Sequence, residues 1–312
     1  MISTQNSLQN CKVKLKNFPK QFNYKDTNVK TLRTTLRILL ARIAIQIIQF
    51  LSKKWSHQPF TGEPLASLST YKKLAIEAYQ NTYASEDVIN FEAECGSAID
   101  RQWIQTAANQ LQVVIKSSNL NYAHGRIVYA ALSKYLRENK MNSDKINILE
   151  TGTARGFSAL CMAKALQDGN KIGTIYTHDV LPHELPIYWN SMTDHTQGPI
   201  TRAQLMSPWE EIIQKYIVFI TGDTSITLSS LSLPRMHFAF LDGAHSYDDV
   251  IFEFSVVSNK QKPGDVIIID DYNVLLFPGI VQAINDISDA GEYDIKILNQ
   301  SGERQYAIAY KK

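Results

Sequence analysis

From Lys145 to the end of the chain, short apolar runs rich in β-branched residues alternate with stretches whose apolar residues recur at helical spacing. That alternation predicts a mostly parallel sheet with helices on both faces. Strands are expected over residues 146–150, 173–179, 217–221, 237–242 and 265–270, and helices over 157–167, 209–215, 247–259 and 278–290. The last two apolar runs, 294–298 and 305–310, flank the turn NQSGER and read as a hairpin, so one terminal strand should run antiparallel. The fold class expected is therefore α/β, with a seven-stranded sheet closed by a C-terminal antiparallel hairpin.

Ahead of this block the pattern is helical. Residues 70–140 carry three candidate helices, 71–83, 97–117 and 122–138, a region suited to capping a ligand site or to a homo-oligomer contact. Residues 59–69 contain Pro59, Gly62 and Pro64 and read as a linker. Residues 31–55, TLRTTLRILLARIAIQIIQFLSKKW, place Thr31, Thr35, Arg42, Gln46, Gln49 and Lys53 on one side of a helix and leave a wide apolar face. The apolar run is broken by Arg42 and too short to span a bilayer. A packed or dimerising helix and one lying in an anionic membrane surface both fit. The division expected is thus 1–58, 59–69, 70–140 and 141–312, the last holding the chemistry.

Charge sharpens this division. The 312 residues have a net charge of only +2, but residues 1–58 carry eleven Lys/Arg against the single acid Asp26, leaving 21 basic and 29 acidic residues in the remainder. An acidic catalytic part argues against nucleic acid as substrate. Cys11, Cys95 and Cys161 are far apart, without metal or redox spacing, so a reducing, cytoplasmic setting is the default and Cys161 is expected in the core.

The chemistry concentrates at strand ends. The stretch ILETGTARGFSALCMAKA joins a strand to a helix through Glu150, Gly152, Thr153 and Gly156. A dinucleotide fingerprint would use GxGxxG to approach a pyrophosphate, whereas here an acid precedes GxxxG. A carboxylate at that point repels a diphosphate but can receive an ammonium group, which suits S-adenosylmethionine. Asp179, ending the second strand, can accept from ribose hydroxyls, and Asp223, in ITGDTS, is placed for the adenine edge; the alternative for either is a helix or turn cap. The fourth strand ends in Asp242, followed by His245, and the fifth in Asp270 and Asp271. Three neighbouring carboxylates need a compensating cation or protons, and oxygen ligands suit Mg²⁺. The alternative is a solvated, turn-capping acid pair. His245 could take a proton from a substrate hydroxyl or cap the helix that follows.

Together ETGTARG, Asp179, GDT, LDGAHSYDD and IIDDY resemble the class I S-adenosylmethionine-dependent methyltransferases, and within them the macrocin-type O-methyltransferases. The resemblance covers about residues 120–312, with LDGAHSY its most specific motif. It implies a Rossmann-like fold and methyl transfer to a hydroxyl of a small molecule such as a sugar or polyketide, in natural product biosynthesis. It further implies Mg²⁺ on Asp242, Asp270 and Asp271, His245 as base, and cofactor contacts from Glu150, Gly152, Asp179 and Asp223. The long connection 180–215, with His183, Tyr188, Trp189, Asp194, His195, Arg202 and Trp209, is expected as a substrate lid or as an excursion covering the sheet edge.

Overall fold

Continuous apolar runs, rather than alternating ones, mark strands covered on both faces. Those are the strands at the centre of the computed structural model, which describes residues 63–116, 118–139, 145–301 and 304–312. Strands β1 (Ile146–Thr151), β4 (Phe238–Leu241) and β5 (Val266–Ile269) are buried along their whole length. They are flanked by β2 (Gly173–Asp179) and β3 (Ile217–Thr221) on one side, and by β6 (Tyr293–Ser301) and β7 (Arg304–Lys311) on the other. The order is β3-β2-β1-β4-β5-β7-β6; β1 to β5 pair parallel, and β7 pairs antiparallel to both β5 and β6. The expected seven-stranded, Rossmann-like sheet with its closing hairpin is present. Its strand order reverses between β1 and β4, the switch point at which open α/β sheets form a ligand crevice.

Four helices precede the sheet: α1 (Leu68–Tyr83), α2 (Glu86–Cys95), α3 (Arg101–Leu111) and α4 (Ala123–Glu138). The expected helix over 97–117 is shorter, because the chain leaves helical geometry at Gln112. Helix α2 was not anticipated. Ser85 caps its start, Glu86 and Asp87 favour its first turn, and Gly96 ends it at φ +60°. These helices belong to the sheet's own core: residues from Tyr71 to Leu136 pack together with Ile148 of β1 and with Phe157 and Cys161. The described residues all belong to one compact unit, Pro59–Lys312. The segment 1–58, with the expected helix 31–55 and Cys11, lies outside the described residues.

Helix α5 (Phe157–Asp168) follows β1 and packs with α4 on one face of the sheet; Gly125 makes that approach possible, since a Cβ there would lie 2.6 Å from Phe157 Cε1. On the other face α10 (Tyr247–Ser258) and α11 (Pro278–Asp289) cover Ala239, Leu241, Ile267 and Ile269. Between β2 and β3 lie two one-turn helices, α6 (Asp194–Gln197) and α7 (Arg202–Leu205), then α8 (Glu210–Tyr216); α9 (Thr224–Ser230) follows β3. No helix among the described residues is long and apolar enough to cross a membrane.

Candidate active site

Side chains at the carboxyl ends of β1, β2, β4 and β5 converge because parallel strands deliver all their C-terminal ends to one edge. The Asp242 amide donates to the Thr151 carbonyl and the Asp270 amide to the Leu241 carbonyl, so the three strand ends are tied in register. Gly152 sits at φ +83°, and a Cβ there would collide with the carbonyl oxygen of Asp242. Only glycine lets the loop after β1 lie against the end of β4. Gly156 opens α5 at φ +88°, where a Cβ would run into the Met206 side chain.

Glu150 is fully buried and one of its oxygens accepts from the Thr177 hydroxyl, which is paired in turn with Thr153 Oγ1 at 2.5 Å. Its other oxygen, Oε1, has no hydrogen-bond partner of standard geometry among the described residues. Burial pushes the carboxyl up to about 7, against the lowering pull of the Ser158 and Thr177 hydroxyls. A fully buried carboxylate beside a glycine loop, with only neutral hydroxyls hydrogen-bonded to it, fits a site for a cationic ligand group. Asp179 is positioned by the same loop: Oδ2 accepts from the Ala154 amide at 2.5 Å and Oδ1 from the Leu181 amide at 2.6 Å. Asp223 is exposed and caps α9 through the Ser225 amide at 2.9 Å.

At the ends of β4 and β5, one ligand atom each from Asp242, His245 and Asp271 lies within 4.8 Å of the others. His245 Nε2 is 3.1 Å from Asp271 Oδ2, and Phe277 stacks on the imidazole at 4.5 Å. Asp271 adopts φ +57°, a left-handed conformation at a non-glycine residue of the kind that clusters where side chains must be aimed. Burial and the charges of Asp270 and Asp271 push the Asp242 carboxyl well above its ordinary range. Asp271 moves the other way: burial opposes ionisation, but the hydrogen bond from His245 and the charge of Arg304 hold its pKa below the usual value.

Asp270, expected among the cation ligands, is placed elsewhere. It is 1% exposed; its Oδ1 accepts from Arg304 Nε at 3.2 Å and from the Asp271 amide at 2.6 Å, and its Oδ2 accepts from Arg304 Nη2. A carboxylate this deep needs a permanent counter-charge, and β7 supplies it. The gathered groups are two carboxylates, which fit a divalent cation, and the imidazole of His245 beside them.

Three further side chains join the site without having been legible. Arg304 is one. Lys116, from the connection between α3 and α4, feels the charges of Arg304, Asp270, Asp271 and Asp242, and burial with the Arg304 charge pushes its ammonium group down to about 8. Glu253 is buried on α10 and accepts from Thr151 Oγ1 and Thr224 Oγ1, both at 2.7 Å, linking the β1 end to α9. Its one sequence signal is an acid in the otherwise apolar run VIFEFSVV.

The connection 180–215 is not an open ligand wall. Trp189 and Arg202 are buried, and Arg202 Nε donates to the Ala154 carbonyl at 2.9 Å while Arg155 Nε donates to the Trp189 carbonyl at 2.6 Å. The excursion is packed onto the glycine loop and braces it.

Residues 149–272 match the sequence profile of a family described as a methyltransferase domain. Over that stretch the chain is similar to methyltransferase domains. No curated protein matches the sequence. Among solved structures, the chain is similar to the O-methyltransferase TomG from Streptomyces achromogenes, solved with S-adenosylmethionine. Identity there is 14%, over 80% of this chain and 100% of that one, with a TM-score of 0.48. It is likewise similar to the O-methyltransferase from Bacillus cereus in complex with S-adenosylhomocysteine, at 17% identity over 78% of this chain and 100% of that one, with a TM-score of 0.47.

Proposed function

We propose that the methyltransferase domain methylates a hydroxyl of a small molecule at the mouth formed by Asp242, His245 and Asp271. The convergence of these three side chains beside the glycine loop carries the reading. Bound S-adenosylmethionine supplies the electrophilic methyl group. The loop from Gly152 to Gly156 accommodates the methionine end, with Glu150 as acceptor for its ammonium group and Asp179 and Asp223 as acceptors for the ribose and adenine. Gly152, Thr153 and Gly156 set the loop's shape.

A divalent cation on Asp242 and Asp271, when bound, lowers the pKa of the acceptor hydroxyl. His245, oriented by its hydrogen bond to Asp271, takes the hydroxyl proton. Asp270 acts through Arg304 and the Asp271 amide as a positioning residue. Calorimetric titration with S-adenosylhomocysteine should give one site per chain in the presence and absence of Mg²⁺. Asp242→Asn should keep that binding while losing the cation's own heat of binding; absence of any binding would overturn the reading.

A second reading rests on the Arg304–Asp270 pair. With one carboxylate already neutralised from within, the His245–Asp271 pair could act as a base without a cation. Full activity in excess chelator is the outcome that selects it.

A further inference from the structure

Burying a carboxylate costs more than burying a leucine of similar size, so an acid inside an apolar helix face has to be held by partners. Glu253 is such an acid: it is 1% exposed on α10, in the run VIFEFSVV. Its two oxygens are divided between two other elements, Oε2 accepting from Thr151 Oγ1 and Oε1 from Thr224 Oγ1, each at 2.7 Å. Gly243 keeps the space for this open, since a Cβ there would lie 3.0 Å from Glu253 Oε1 and 3.1 Å from Thr151 Oγ1.

Both hydroxyls border the crevice at the switch point. Thr151 ends β1 directly before Gly152, and Thr224 opens α9 directly after Asp223. The link from β3 to α9 needs a hold of this kind. Strand β3 is an edge strand, so no strand flanks it on its outer side, and Thr221, Asp223 and Ser225 are exposed. The Gly222 amide donates to the Asp179 carbonyl at 2.8 Å, and two residues on Glu253 ties Thr224 to the end of β1.

We propose that Glu253 is a positioning residue for the methyl donor: through Thr224 and Thr151 it fixes the link 222–224 against the end of β1, so that the adenosine end of the crevice is formed before the cofactor arrives. Glu253 touches no ligand and acts only through the two threonines. A site already formed binds more tightly, because the ligand does not have to order it. A carboxyl or a carboxamide can hold both hydroxyls at once, whereas an aliphatic side chain of similar size holds neither. The inference rests on the assignment of this crevice to S-adenosylmethionine and adds to it a residue from the helix that follows His245.

The test is calorimetric titration of the full chain with S-adenosylhomocysteine. Glu253→Leu should weaken binding by about tenfold, and Glu253→Gln, which keeps both hydrogen bonds, should stay within about twofold of the wild type. Thr224→Val removes only the tie to α9, at a half-buried position, and should reproduce most of the loss even if Glu253→Leu fails to fold. The double variant Glu253→Leu/Thr224→Val should bind no more weakly than the weaker single variant, because both break one connection. A merely structural role would instead give additive losses, with Glu253→Gln as weak as Glu253→Leu; either result would overturn the proposal, and so would undiminished binding by Thr224→Val. Absence of binding by the wild type sinks the methyl-donor assignment itself and the positioning role with it. Tight binding by the wild type that neither Glu253→Leu nor Thr224→Val diminishes sinks the positioning role alone.

Discussion

Glu150 shows what burial does to one residue. Its folded pKa of about 7 lies above the ordinary 4.5, so the folded protein holds a proton that the unfolded chain has released. The stabilisation from that proton is complete below about 4.5 and is lost as pH rises through about 7. The span corresponds to about 3 kcal/mol at full effect, from about 1.4 kcal/mol per pH unit. Glu150→Gln should therefore flatten the pH dependence of stability between about pH 4.5 and 7 in the cofactor-free protein. Denaturant titrations of the two proteins across that window measure it; parallel profiles would refute the assignment. The same residue was legible as an acid before a glycine loop. That it is fully buried was not, because burial depends on Thr177 and Ser158, which approach from other elements.

Among the elements, the α4–α5 contact leaves no room for a side chain at Gly125. A Cβ at Gly125 would lie 2.6 Å from Phe157 Cε1 and 2.8 Å from Cys161 Sγ. Gly→Ala within a helix ordinarily gains about 1 kcal/mol. Here the overpacking penalty of about 1–3 kcal/mol should outweigh that gain, and Gly125→Val should cost more still. Thermal unfolding of both variants gives the sign, and a stabilised Gly125→Ala would show that the helices can separate. Cys161 was expected in the core and is fully buried there. Helix α4 was read correctly as a helix, yet sequence alone left it as part of a cap. Its burial on nearly every side, including Arg126, which donates to Glu92, comes from sharing a core with β1 and α5.

The whole molecule decides the fate of Asp270. Arg304 reaches it only because β7 inserts antiparallel between β5 and β6, setting Ala307 opposite Ile269. Arg304→Met should cost about 3–5 kcal/mol by leaving a buried carboxylate uncompensated. The deficit should shrink as pH is lowered, since protonation neutralises Asp270, and Asp270→Asn in the same background should recover part of it. Equilibrium unfolding of the single and double variants tests this; additive losses would mean that the pair is not coupled.

The sequence by itself determined the alternation of strands and helices, the closing hairpin, the glycine loop and the acids at strand ends, because each of these is written in local periodicity or in residues adjacent along the chain. The five parallel strands fell within a residue or so of their expected ends for the same reason. Tertiary structure alone decided how those acids divide. Asp242 and Asp271 meet His245, Asp270 is taken by Arg304, and the 180–215 excursion, expected as a lid or as cover for the sheet edge, packs onto the glycine loop. The physical reason is that a buried charge takes whatever partner the fold brings within reach, and that partner can lie thirty or more residues away along the chain, as Arg304 does from Asp270.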